Sequence, residues 1–133
     1  MFRRPRFPII CAVGNELLSA RSPAAFQRQI EGLDLDGANV IDIVDATGEG
    51  WAFHTDGMIV SPLTLKKRWK KIEVVRFFNE SDNARRMGAA YPEAYISRRS
   101  LVRIIAEVAA LAAYAKPNKP LQRTGARVAR AGR

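Results

Sequence analysis

Asn39–Val60, NVIDIVDATGEGWAFHTDGMIV, decides how this chain is read. Its three short runs, Asn39–Ala46, Trp51–Thr55 and Met58–Val60, carry β-branched and aromatic residues that pack well on a pleated surface. Two turn signals separate them. Thr47–Gly50 is glycine-rich, and Asp56-Gly57 suits a type I′ hairpin because both central positions need positive φ. An antiparallel β-meander is therefore expected. Centring the first turn on Gly48-Glu49 sets Val44 against Phe53 and Ala46 against Trp51, with Ile43 and His54 on the other side. One apolar and one mixed face result, as in a sheet covered on one side.

Upstream, Phe7–Val13 (FPIICAV) is a short apolar run bounded by Pro8 and Gly14-Asn15 and reads as a buried strand, which Glu16–Ala20 continues after a turn. The basic Met1–Arg6 ahead of this run has the order of a signal peptide with a lipid-acceptor Cys11. Seven apolar residues interrupted by Pro8, with no clean small-residue cleavage site, argue for the strand and a cytoplasmic location instead. Ser22-Pro23 is a helix start, since the Ser hydroxyl can accept from a free backbone N–H and Pro loses nothing at the first helical position. Phe26, Ile30 and Leu33 then predict a helix from Pro23 to Gly32, followed by a loop at Asp34–Gly37.

Downstream, Leu65, Trp69, Ile72 and Val75 suit a helix, whereas Ile72–Phe78 is dense in β-branched and aromatic residues. The expectation for Thr64–Glu80 is a short basic turn or helix followed by a strand, and for Ser81–Ala90 a short helix or loop. After Ser97 or Ser100 as cap, Leu101, Ile104, Ile105, Val108, Leu111 and Ala112 form an apolar stripe, with Arg103 and Glu107 four apart on the exposed side. Pro117 ends that helix. The expected fold is α+β: a small antiparallel sheet packed on one face by the helices from Pro23 and Leu101. It occupies one domain, residues 7–115, between a basic arm (1–6) and a flexible basic tail (116–133). The alanines of the last helix offer a second surface for dimer packing. No stretch approaches the roughly 20 apolar residues of a membrane span.

The 133 residues carry a net charge of +9, but position matters more than the sum. Nine basic residues lie in the first six and last eighteen positions, and the 13 acidic residues all lie between. The body is neutral yet polarised. Phe7–Leu63 holds two basic residues against eight acidic ones, and Thr64–Ala115 eleven against five. Such halves attract each other within one domain, or across two copies. One cysteine excludes an internal disulfide framework and a cysteine-rich zinc site, and one histidine leaves little for a histidine-based metal centre.

Each chemistry-bearing residue also has a structural role open to it. Cys11 and His54 are the one thiol–imidazole combination and read as packed strand residues. Asp42, Asp45, Glu49 and Asp56 cluster around the first hairpin, where paired carboxylates can bind a hard cation or act as acid and base. Asp34-Leu35-Asp36-Gly37 stops after two ligands of a calcium loop, and Gly48-Glu49-Gly50 lacks the third glycine and following helix of a phosphate loop. No metal or cofactor is expected. Lys66-Lys67-Arg68-Trp69-Lys70-Lys71 is the sharpest local feature: five cations around an indole that could stack on a base. Arg76, Arg85, Arg86, Arg98, Arg99 and Arg103 could extend that patch. The competing readings are a solvated face over a core Trp69, and a docking surface for an acidic protein. The leading expectation is a non-enzymatic protein-interaction module, self-association included. Nucleic-acid binding through residues 66–71 is the alternative, and a small enzyme with an acidic site at the first hairpin comes third.

Pro117-Asn118-Lys119-Pro120-Leu121-Gln122-Arg123-Thr124-Gly125 resembles the C-terminal tail of proteins encoded in integron gene cassettes. There the reading frame can run into the cassette's recombination site, so the DNA dictates the residues. The resemblance implies a bacterial accessory protein of a mobile element, with a tail whose charge was set by recombination.

Overall fold

The computed structural model describes residues 4–32, 40–55, 59–62 and 68–114. Within them β1 (Ile9–Val13), β2 (Glu16–Ala20), β3 (Val40–Val44), β4 (Gly50–His54) and β5 (Ile59–Pro62) form an antiparallel sheet in the order β2-β1-β3-β4-β5. Packed with it are α1 (Pro23–Glu31), α2 (Lys71–Asn79), α3 (Asp82–Met87) and α4 (Leu101–Tyr114), with a 3-10 turn at Glu93–Ser97. The expected α+β class is borne out. Among the described residues no helix is long and apolar enough to cross a membrane.

Strand alternation builds two cores. Ile9 and Cys11 of β1, Ile41 and Ile43 of β3, and Trp51 and Phe53 of β4 share a face that α1 closes with Phe26 and Ile30. Phe26 meets Phe53 edge-on, with ring centroids 5.2 Å apart. Ile10, Leu17 and Val44 point the other way, under Val74, Val75 and Phe78 of α2 and Ile104, Ile105 and Val108 of α4. The helices from Pro23 and Leu101 therefore lie on opposite faces of the sheet, not on one. The cause is visible in β1, which is apolar at both parities, the pattern of a strand covered on both sides.

Two further expectations are corrected. In the β3–β4 hairpin Ile43 pairs with Trp51 and Val44 with Gly50, not Val44 with Phe53. The odd offset exchanges the two faces, so Trp51 shares a core with Ile43. Its source is a longer turn: Asp45 N–H donates to the Glu49 carbonyl at 3.0 Å, and Gly48 takes φ +94°. The strand expected at Ile72–Phe78 is the body of α2. Val74, Val75 and Phe78 recur on one helical face and are buried, and Trp69 packs on Phe77 at 4.8 Å. The Glu73 carboxylate accepts from Lys70 N–H at 2.8 Å and closes the first turn, so burial on a helical period overrides β-propensity.

The capping signals hold. Ser22 Oγ accepts from Ala25 N–H at 3.1 Å, and Ser100, rather than Ser97, accepts from Arg103 N–H at 3.1 Å. α3 supplies the short helix expected within Ser81–Ala90. Asp56, Gly57, Lys66, Lys67, the Asp34–Asp36 loop and the tail lie outside the described residues.

Strand β2 is a sheet edge, and side chains occupy it. Leu17 N–H donates to Asn83 Oδ1 at 2.7 Å, and Asn83 Nδ2 donates to the Leu17 carbonyl at 2.8 Å. Gln29 Nε2 donates to the Ser19 carbonyl at 2.8 Å, while Ser19 Oγ donates to the Ala109 carbonyl at 2.8 Å. Arg86 holds Glu16 bidentately at 2.8 and 2.5 Å. These contacts take the place of a sixth strand and tie α3 and α4 to the sheet. Asn83 is fully buried, so Asn83→Ala leaves two buried backbone groups without partners and should cost about 2–3 kcal/mol in urea unfolding. Arg86→Ala, at a partly solvated ion pair, should cost about 1 kcal/mol or less. Equal losses would contradict the edge-clamp role of Asn83.

Candidate functional site

The four acidic candidates do not converge. Asp42 is exposed on β3, Glu49 pairs with Arg68 through a backbone β-bridge, and Asp56 lies outside the described residues. Asp45 is 1% exposed and its oxygens are already engaged. Oδ1 accepts from Thr47 N–H (2.9 Å), Thr47 Oγ1 (2.7 Å) and Glu49 N–H (3.1 Å). Oδ2 accepts from Arg6 N–H (3.1 Å) and the Trp51 indole N–H (3.0 Å). Burial pushes this carboxyl up, but the hydrogen bonds from Thr47, Arg6 and Trp51 outweigh it and hold it below its ordinary value. Asp45 is a structural anion that closes a turn.

Cys11 and His54 sit on opposite sides of the sheet. Cys11 packs in the α1 core beside Phe53, and His54 follows Phe53 on β4 with the reverse orientation. Burial pushes the Cys11 thiol up to about 12, far from a reactive thiolate. His54 Nε2 lies 2.8 Å from Ser61 Oγ.

Of the basic segment, Arg68 and Trp69 lie against the acidic turn. Trp69 is 6% exposed, in the core beneath α2, so its ring is not presented for stacking on a base. Its backbone N–H donates to the Gly48 carbonyl at 2.7 Å, and Arg68 Nη1 donates to the Thr47 carbonyl at 2.8 Å. Lys71 Nζ reaches the Ile96 carbonyl at 3.2 Å. Arg85 pairs with Asp82 and Arg86 with Glu16, while Lys70 and Arg76 are exposed.

A second charged constellation, which sequence reading caught only at Arg98, Arg99, Arg103 and Glu107, joins the 3-10 turn to α4. Glu107 accepts from Tyr91 Oη at 2.5 Å, from Arg99 Nη1 at 2.6 Å and from Arg103 Nε at 3.2 Å. These hydrogen bonds, the Tyr91 one foremost, lower the Glu107 carboxyl, while burial and then Glu107 raise the Tyr91 phenol. The Arg99 guanidinium lies over the Tyr95 ring, 3.5 Å from its centroid, and Arg98 approaches the same ring at 5.1 Å. Tyr91 and Tyr95, one helical turn apart in the sequence, meet edge-on at 5.7 Å. That spacing was the available signal for the two tyrosines.

The remaining feature is α4 itself. Ile104, Ile105, Val108 and Ala112 face the core. On the opposite arc Val102 is 56% and Tyr114 82% exposed, with Ala106, Ala110 and Ala113 exposed between them. Arg103 is the one charge on that arc, and it is engaged by Glu107. A helix apolar on both flanks belongs to a buried element rather than a surface one. The chain matches no family model, no curated protein and no solved structure.

The chemistry of Asp45 is testable through stability. Asp45→Asn places an amide N–H among donors and should cost about 2–4 kcal/mol. The native carboxyl is lowered, so its contribution is fully present above the unfolded-state value of about 4 and is lost as pH falls through the native one. Urea midpoints measured across this acid range should converge for the native chain and Asp45→Asn. A gap unchanged by pH would contradict the assignment.

Proposed function

We propose that this chain is a non-enzymatic protein-interaction module whose first partner is a second copy of itself, docked through the exposed flank of α4. The observation that carries the reading is the apolar arc from Val102 to Tyr114 on a helix whose other side is core. Alanines there let two helix axes approach closely. An antiparallel pair about a twofold axis at Ala106 and Ala110 sets Val102 of one protomer against Tyr114 of its partner, a self-complementary, isologous contact. The polarised charge of the two sequence halves favours the same association but does not define a surface.

Nucleic acid is less well supported. Its stacking residue, Trp69, is in the core, and Arg68, Lys71, Arg85, Arg86 and Arg99 have intramolecular partners. An acidic enzyme site loses Asp45 to the turn. The tail at 117–125 supports a small accessory protein of a mobile bacterial gene cassette, working in the cytoplasm.

Sedimentation velocity on the full chain tests the reading. A dimer should persist at both about 0.15 M and 1 M salt, because apolar contacts are not screened. Ala106→Glu, on the exposed arc, should yield a monomer that keeps the native circular dichroism spectrum while its thermal midpoint loses the concentration dependence of the dimer. A monomer at every concentration, or a dimer that dissolves in high salt, would overturn the α4 docking.

A further inference from the structure

The constellation around Glu107 borders a cavity. A space of about 490 Å³ opens between the 3-10 turn and α4, with Phe78, Met87 and Leu111 as apolar walls and Tyr91, Arg99 and Glu107 at its polar end. That volume falls in the usual range for small-molecule sites, which combine an apolar body with a few fixed polar groups.

The polar end is net positive. Arg99, which lines the cavity, and Arg103 beside it share the single carboxylate of Glu107, which leaves one positive charge in excess. Glu107 is occupied by Tyr91, Arg99 and Arg103 together, so it is a support rather than a free cation receptor. Arg99 is held flat over Tyr95 and anchored through Nη1. Among the described residues Nη1 is its one engaged nitrogen, so Nε and Nη2 keep the parallel donors that match a carboxylate. An open apolar pocket bordered by an anchored guanidinium suits a molecule with a hydrophobic body and one anionic end.

We propose that this cavity binds a small hydrophobic monocarboxylate, its carboxylate on Arg99 and its hydrocarbon against Phe78, Met87 and Leu111. The cavity meets the outer arc of α4 at Ala110, but the proposal rests on Arg99 and the walls at Phe78, Met87 and Leu111 rather than on self-association.

Isothermal titration of the full chain with decanoate, below its micelle concentration, and with decanol as the uncharged control reads it directly. Decanoate should bind at least about tenfold more tightly than decanol. Arg99→Gln should remove most of that difference and leave decanol binding unchanged. Arg99→Lys, which keeps the charge without the fork, should fall between and serves if the Gln variant fails to fold. Leu111→Trp, which fills the chamber, should weaken both ligands, with circular dichroism reporting that the fold is intact. Equal affinity for acid and alcohol, no heat for either, or decanoate binding unaffected by either Arg99 substitution would overturn the assignment. Tighter binding of decyltrimethylammonium than of decanoate would reverse its sign and overturn it as well.

Discussion

A single buried carboxylate sets the geometry of this molecule. Asp45 leaves β3 at the point where the strand must reverse, and its oxygens accept from three residues of the turn and β4 and from the entering chain at Arg6. An unpaired carboxylate there would be prohibitively costly. Satisfied by five donors, it instead dictates one turn length, hence one register, hence which side chains of β3 and β4 enter which core. Trp51 could not reach the α1 core in the alternative register, because an odd slip moves every side chain to the other face.

The same turn organises the opposite layer. Its Thr47 and Gly48 carbonyls receive Arg68 and Trp69, which seats the indole and fixes where α2 begins. A Cβ at Gly48 would overlap Leu101 Cδ2, so the turn is also the surface against which α4 starts. From there α4 runs across β2 and β1, clamped at the edge by Asn83 and Ser19. The acidic and basic halves of the sequence are thus joined by specific contacts within one molecule, Arg86 to Glu16 and Arg68 to the turn.

Much of the fold was legible in local signals. Ser22-Pro23 and Ser100 marked helix starts, and the β-branched runs marked strands, because each depends on neighbours along the chain. The two-sided burial of β1 was also written in FPIICAV, whose continuous apolarity outweighs the one-sided pattern inferred from the meander. Other features depend on distant partners. Asn83 meets Leu17 across 66 positions, and no spacing rule encodes that pairing. The helical state of Ile72–Phe78 follows from the burial of Trp69 and Val75 under α4, which the local β-propensity of those residues opposes. For the candidate site, the sequence marked cations and carboxylates without their partners. Burial turned Asp45 and Trp69 into core elements, while Tyr91 and Tyr95 gained importance from the fold around them.

Both proposals centre on the last helix, apolar outside as well as inside, and on the pocket beside it that Arg99 borders. That helix starts against the turn that Asp45 closes. Hydrogen exchange of the native full chain probes that turn directly, through the Trp51 indole N–H and the amides of Thr47 and Glu49. The account predicts that these protons exchange only through global unfolding, in the same slow class as the β1 amides. Exchange at the rate of exposed loop amides, with β1 still protected, would contradict it.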